Sequence, residues 1–222
     1  MNVLVTAGPT REAIDPVRFV SNRSSGRMGY ALAAAARRAG HAVRLVSGPV
    51  ALDPPPGVRL VRVVSAADML AAVEQHLPWC DLLVMAAAVA DWRPTQPAAH
   101  KLKKADGPPV IKWEPAPDIL AAIAPRKKAS QVFCGFAAET RSLAREAKRK
   151  LREKNLDAIA ANDVSRTDRG FDSDRNELAV FFADGSQRRI PLARKSVCAA
   201  RLIAWLGKIA AKKKVKKNPE RD

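Results

Sequence analysis

Short β-branched apolar runs alternate along this chain with longer alanine-rich stretches of helical period, the pattern of an α/β fold with a mostly parallel sheet. NVLVT (2–6) predicts the first strand, and a helix follows from about Arg27 to Arg38, stopping at Gly40. AVRLVS (42–47) and RLVRVV (59–64) predict two further strands, separated by a DPPPG turn. After a helix over AADMLAAVEQHL (66–77), the near-continuous apolar run DLLVMAAAV (81–89) predicts a central strand buried on both faces. Between Asp91 and Trp113 the apolar period fails, and a segment with prolines, glycine and four lysines predicts a flap over about 92–113. PDILAAIAP (117–125) restarts a helix with proline in its first turn, VFCGFAAE (132–139) predicts a strand and then a turn, and Leu143 to Asn155 a basic helix. LDAIAAND (156–163) predicts another buried strand, ELAVFFADGSQRRIPL (177–192) an antiparallel hairpin around its D-G pair, and the last helix spans about Arg194 to Ala211. No internal repeat is visible.

A length of 222 residues with 47% hydrophobic content suits one domain with a substantial core. No apolar run approaches the roughly 20 residues that span a bilayer, and Met1 leads directly into strand-like sequence, so a cytoplasmic protein is expected. Cys80, Cys134 and Cys198 are an odd number, far apart, and predict buried apolar groups rather than disulfides or a zinc site.

The charge balance, 39 − 22 = +17, raises the question of nucleic acid. Its distribution narrows the answer. Arg141–Lys154 and the end of the chain from Lys208 each hold seven basic residues against two acidic ones, and the second run, 208–222, predicts a disordered tail. Aromatic residues are 5% of the chain and do not interleave with the basic runs, so no stacking surface for a single strand is indicated. A basic nucleic-acid-binding protein stays as the alternative from another class. Polyanionic small molecules such as nucleotides fit better.

The first turn, TAGPTRE, lacks G-x-G-x-x-G, and the second strand ends in Ser47-Gly48 where a dinucleotide site wants an acid. No P-loop is present. His41, His76 and His100 are isolated, which gives little support to metal–histidine or Ser-His-Asp chemistry. What remains is a series of polar clusters where strands should end, the usual ligand edge of open α/β sheets: TAGPTRE, SNRSSGRMG, AAAVADWRP, KLKK, GFAAET and ANDVS. SNRSSGRMG sets hydroxyls, an amide and glycines before a helix N-terminus, which suits an anion.

With TAGPTREAIDPVRFVSNRSSGRMGYALA, AAAVADWRP, KLKK, PDIL, GFAAET, KLREKNLD and ANDVS…GFDSDRN in this order, the chain resembles the phosphopantothenoylcysteine synthetase family over roughly residues 1–207. This is the synthetase half of the bacterial coenzyme A biosynthesis flavoproteins. The resemblance implies a Rossmann-like three-layer fold, with the synthetase domain over 1–207 and the basic tail behind it. It implies a ligase that joins 4′-phosphopantothenate to L-cysteine with CTP through an acyl-cytidylate; an ATP-using version is the alternative. Mg²⁺ is implied with the triphosphate, with metal ligands unknown, and no flavin is expected on this chain. A homodimer is implied, with a separate decarboxylase as a further candidate partner, and no membrane and no specific nucleic acid.

Carried over residue by residue, the resemblance puts nucleotide recognition on Ala87, Ala88, Asp91, Ala116, Pro117, Asp118, Ile119 and Phe136. Ala116 departs from the N-P-D-I of many relatives. Lys150 and Lys154 match triphosphate-binding lysines, Lys101 the flap lysine over the α-phosphate, and Arg18 and Asn22 the phosphopantothenate and acyl-intermediate contacts. Asn22 and Lys101 are the implied catalytic pair. From the residues alone, Asn22 or Ser25 could instead serve as a helix cap, and Lys150 and Lys154 as part of a solvated helix face.

Overall fold

The computed structural model describes residues 1–139, 142–163, 165, 170 and 173–217. At its centre lies β1 (Asn2–Ala7), buried at every position after Asn2. Val3, Val5 and Ala7 enter one apolar cluster and Leu4 the other, because successive side chains of a strand point to opposite faces. β4 (Ala42–Ser47) and β6 (Leu82–Met85) flank β1, both parallel to it. β5 (Arg59–Arg62) continues the parallel sheet beyond β4, and β9 (Val132–Glu139) and β10 (Ala158–Asp163) continue it beyond β6. The D-G hairpin, β11 (Arg175–Phe182) and β12 (Gln187–Arg194), adds two antiparallel strands at the β10 edge. The strand order is β12-β11-β10-β9-β6-β1-β4-β5.

Helices cover both faces. α1 (Arg27–Arg38) and α5 (Lys195–Lys217) share one core cluster, through Leu32, Ala33, Leu202 and Leu206. On the other face, α2 (Ala66–His76), α3 (Ile119–Ile123) and α4 (Leu143–Glu153) contribute Met69, Val73, Ile123 and Leu151 to a second cluster. This is the Rossmann-like three-layer arrangement that the hydrophobic pattern and the resemblance predict. α1 lies very close to β1: a Cβ on Gly29 would stand 2.4 Å from the Cβ of Ala7, so only glycine permits the approach. Among the described residues, no helix is long and apolar enough to cross a membrane.

The structure departs from the sequence reading at several places. The run 81–89 is a strand only as far as Met85; its last alanines leave the sheet to line a cleft. GFAAE stays in the sheet to Glu139 rather than turning. Pro117 precedes the helix instead of sitting in its first turn, and Asp118 is the N-cap, its Oδ1 accepting the Ala121 N–H at 3.1 Å. The TAGPTRE–SNRSS region holds an unpredicted hairpin, β2 (Arg11–Ala13) with β3 (Phe19–Ser21). The flap has a β-stem, β7 (Trp92–Pro94) with β8 (Trp113–Pro115).

The basic end differs most. α5 runs past Ala211 to Lys217, so the first part of the segment predicted as a disordered tail is helical. Lys213 pairs with Asp157 at 2.5 Å and Lys214 with Asp81 at 3.0 Å, and these acids give the otherwise purely basic segment something to fold against. The rest of that tail, together with Thr140 and parts of ANDVS and GFDSDRN, lies outside the described residues.

Candidate functional site

The cleft begins where β1, β6 and β9 end. β1 leads through α1 to β4 on one side while β6 lies on the other, which makes this the point where the sheet's connections reverse and ligands are received. Two buried threonines shape its floor. Thr6 Oγ1 accepts the Ala87 N–H at 3.1 Å and Thr10 Oγ1 the Ala90 N–H at 3.0 Å, while Ala88 N–H donates to the Gly8 carbonyl at 2.9 Å. The threonine bonds take the backbone on either side of Ala88 out of the ladder, while Ala88 keeps an isolated parallel bridge to Pro9, and the small side chains of AAAVAD leave the backbone open to a ligand.

α1 faces this floor with its N-terminus. Gly26, the N-cap, has φ 76° and no side chain to cap with, and its own N–H donates to Ser24 Oγ at 3.3 Å, so the helix turns the positive end of its dipole toward the cleft. Asn22 is not the cap. Its amide donates to the carbonyls of Ala88 at 3.1 Å and Val89 at 3.0 Å, tying the SNRSSG loop to the AAAVAD loop.

The far wall is the turn before α3. Ala116 N–H donates to the Asp91 carbonyl at 2.8 Å, which fixes the turn against the floor. Asp118 also pairs with Lys154 at 2.8 Å. Burial disfavours the ionised form of Asp118, but the hydrogen bonds from Lys154 and the α3 backbone outweigh it and hold the carboxyl below its ordinary range. Lys150 pairs with Glu139 at 2.7 Å. Both lysines thus face acids rather than bulk solvent, unlike a merely solvated charged face.

Of the sequence-predicted residues, Asn22, Ala87, Ala88, Asp91, Ala116, Pro117, Asp118, Ile119, Phe136 and Lys154 line one cleft of about 600 Å³. Arg18, Lys101 and Lys150 are not part of its lining. Arg18 instead pairs with Asp15 at 2.8 Å and donates to the carbonyl of Leu102, in the flap beside Lys101. Lys101 itself is exposed.

The cleft also contains Lys195, which the sequence reading did not single out, and Asn176, the last residue of GFDSDRN, to which it gave no role. Both are buried, Lys195 with 6% exposure at the start of α5 and Asn176 with 3% in β11. Lys195 sits inside the predicted last helix and Asn176 just ahead of the predicted hairpin, so apolar periodicity marks neither. Asn162, in ANDVS, joins them from the end of β10.

The three thiols take no part. Burial pushes Cys80 up to about 12 and raises Cys134 and Cys198 as well, so none supplies a thiolate at neutral pH. Among the described residues there is no group of three His, Cys, Asp or Glu side chains placed to hold a metal. The site offers cations, backbone donors and a helix N-terminus, which suits the binding and stabilisation of anions.

Comparison with known proteins gives this geometry a context. The model of the DNA/pantothenate metabolism flavoprotein C-terminal domain matches residues 1–210. The coenzyme A biosynthesis bifunctional protein CoaBC of Bacillus subtilis is 48% identical over 195 residues, 87% of this chain and 48% of the relative. Its counterpart in Escherichia coli K12 is 46% identical over 206 residues, 91% of this chain and 50% of the relative. The chain therefore spans about half the length of these curated relatives. A crystal structure of the C-terminal domain of CoaBC is 42% identical, covers 95% of this chain and 96% of its own, and superposes with a TM-score of 0.81. A Cab2 mutant in complex with phosphopantothenate-cysteine, 16% identical with a TM-score of 0.82 over 98% of this chain and 88% of its own, shares the fold. The chain belongs to the family of DNA/pantothenate metabolism flavoprotein C-terminal domains.

Proposed function

We propose that the chain is a phosphopantothenate–cysteine ligase that joins 4′-phosphopantothenate to L-cysteine with CTP, through an acyl-cytidylate. The observation that carries this reading is one cleft combining the N-terminus of α1, the Asn22-tethered loops and the Asp118–Lys154 wall, in a chain 42% identical to the CoaBC C-terminal domain. In the first half-reaction a carboxylate oxygen of phosphopantothenate bonds to the α-phosphorus, and the bond to pyrophosphate breaks. Both reactants are anionic, so the chemistry asks for positioning and positive charge more than for a nucleophilic side chain. Lys150, Lys154 and the flap's Lys101 supply that charge, the first two by exchanging Glu139 and Asp118 for phosphate oxygens. Ala87, Ala88, Asp91, residues 116–119 and Phe136 hold the nucleoside, and Arg18 and Asn22 receive phosphopantothenate.

In the second half-reaction the cysteine amine bonds to the acyl carbon, negative charge gathers on the carbonyl oxygen, and CMP leaves as the amide forms. Asn22 stabilises that oxygen by exchanging one of its loop carbonyls for the substrate. Asn22→Asp, unable to donate, accumulates the acyl-nucleotide, as mass spectrometry of a quenched reaction can record. Normal production of phosphopantothenoylcysteine by this variant removes Asn22 from the step. The metal fits as a passenger of the triphosphate: with no three-acid cluster among the described residues, Mg²⁺ would be held by phosphate oxygens and water, with at most a carboxylate such as Asp118 or Glu139.

A homodimer is part of the proposal. Val17 and Phe19, at and beside β3, and Trp92 and Trp113, on the flap stem, are all exposed, and β2 packs against β7, so the two hairpins form one region rich in exposed apolar side chains. A phosphopantothenoylcysteine decarboxylase is the proposed catalyst of the step that follows, and cytoplasm the proposed location. The deciding experiment incubates the protein with phosphopantothenate, cysteine, Mg²⁺ and either CTP or ATP, and measures pyrophosphate and the cysteine adduct. Release with CTP and little with ATP is the expected result. No pyrophosphate with either nucleotide overturns the ligase, and preference for ATP overturns the choice of nucleotide.

A further inference from the structure

We propose that Asp15 is a positioning residue that sets the flap's Lys101, through a two-point grip on the backbone of Leu102. The proposal rests on the ligase reading for its catalytic consequence, though not for the grip itself. Asp15 lies outside the cleft lining, 3% exposed, in the turn between β2 and β3. One carboxylate oxygen accepts the N–H groups of Val17 and Arg18, both at 2.8 Å, which folds the turn. The other accepts Arg18 Nε at 3.0 Å and, across the gap to the flap, the Leu102 N–H at 3.2 Å. Arg18, held by this carboxylate, donates to the Leu102 carbonyl. Asp15 and Arg18 therefore engage both the donor and the acceptor of one flap residue, the neighbour of Lys101.

A third tether, Ala98 N–H to the Ile14 carbonyl at 2.9 Å, fastens the same strand of the flap to the same turn. The flap's other points of order lie within itself: a single 3-10 turn at Lys104–Asp106, and the stem, where Arg93 pairs with Glu114 at 2.9 Å and Thr95 N–H donates to the Lys112 carbonyl at 3.0 Å. Between stem and tip, then, the Asp15 turn is what the flap rests on. Burial opposes ionisation of Asp15, yet three backbone N–H groups and the Arg18 guanidinium overcome it and lower the carboxyl to about 2. It is ionised throughout the neutral range, as an acceptor serving so many donors must be. An amide in its place would present an NH₂ group to donors that have no other acceptor there.

Asp15→Asn is the test, read first by hydrogen exchange of flap peptides covering 96–112 and by trypsin cleavage after Lys103 and Lys104. Loss of the grip is expected to speed both several-fold, while exchange in β1 and β9 stays at the native rate. Leu102→Pro is the second variant, since it deletes the flap's donor and leaves the Asp15–Arg18 pair in place; exchange over 103–112 should rise there too, and it decides the matter if Asp15→Asn does not fold. In turnover, Asp15→Asn should lower kcat for pyrophosphate release about tenfold or more while CTP affinity moves less than about twofold, because misplacement rather than binding is lost. Native flap exchange in Asp15→Asn, or in Leu102→Pro should the first not fold, overturns the proposal. So does a fall in kcat with the flap unchanged. Absence of pyrophosphate release by the unaltered protein overturns the ligase reading and leaves the exchange result to judge the grip.

Discussion

Two stretches of this chain carry the same charge, seven basic residues against two acidic, and meet opposite ends of the sheet. In the first, Lys150 and Lys154 answer Glu139, which closes β9, and Asp118, which caps α3 in the cleft wall. In the second, Lys213 and Lys214 of α5 answer Asp157 and Asp81, which immediately precede β10 and β6. Parallel strands turn their C-terminal ends toward ligands, so the first pair stands where an anion arrives and the second where the fold is tied together. Charge count cannot separate them; the strand end each lysine reaches does.

The comparison is broken most severely if Lys154→Ala leaves catalysis alone. Loss of that cation should lower kcat/KM for CTP by about tenfold to a hundredfold, measured by pyrophosphate release, with little change in Tm. Conversely, ending the chain after Ala211 should leave turnover at 25 °C near normal and cost about 1–3 kcal/mol in urea unfolding, intermediate between exposed and buried ion pairs. Asp157 keeps Lys127 at 2.8 Å, so the deletion does not strand a buried charge. A truncated protein that is fully stable would return the segment to the status of a tail.

Smaller changes sharpen the contrast. Glu139→Gln frees Lys150 from its carboxylate, so triphosphate affinity should rise by about two- to threefold at low salt, and isothermal titration should show the gain shrinking as salt is added. At the opposite edge, Asp81 is held below the ordinary carboxylate range: burial disfavours its charge, and the Asn2 N–H, Lys214 and the N-terminal amine prevail. A depressed folded-state pKa stabilises the protein above the unfolded value, about 4, and that contribution fades as pH falls through the folded value. Lys214→Ala should therefore be about 0.5 kcal/mol less stable at pH 7, and the deficit should close below about pH 4.

Part of the site is legible in the sequence as polar breaks after predicted strands, and the rest through the family resemblance. SNRSSG and the Asp91 end of AAAVAD break the pattern, Ala87, Ala88 and residues 116–119 are named by the resemblance, and all of them meet in one cleft. Lys195 escapes that logic, since it lies within a predicted helix whose apolar neighbours explain it, and Asn176 because its motif, GFDSDRN, came with no role attached. Asp15 escapes for another reason. In DPVR it reads as an ordinary turn residue, which it also is, and only the long-range bond to Leu102 gives it a second task. For Asn22 the reverse holds: a cap is the simple local reading, and the structure puts its amide on two carbonyls far along the chain.

By itself the sequence determined the layer architecture, since period two and period 3.6 are local signals that survive without knowledge of neighbours. It determined the first strand β1, the central strand β6, the D-G hairpin, the flap's position and the family. Only the tertiary structure decided where helix α5 ends, which alanines of DLLVMAAAV leave the sheet, and which acid each lysine meets. Those outcomes depend on partners distant in sequence. Thr6 and Thr10 draw the alanines out, and Asp157 and Asp81 draw the last lysines in. A hydrogen-bond donor or a charge adopts the conformation its partner permits, and that partner is set by the fold as a whole.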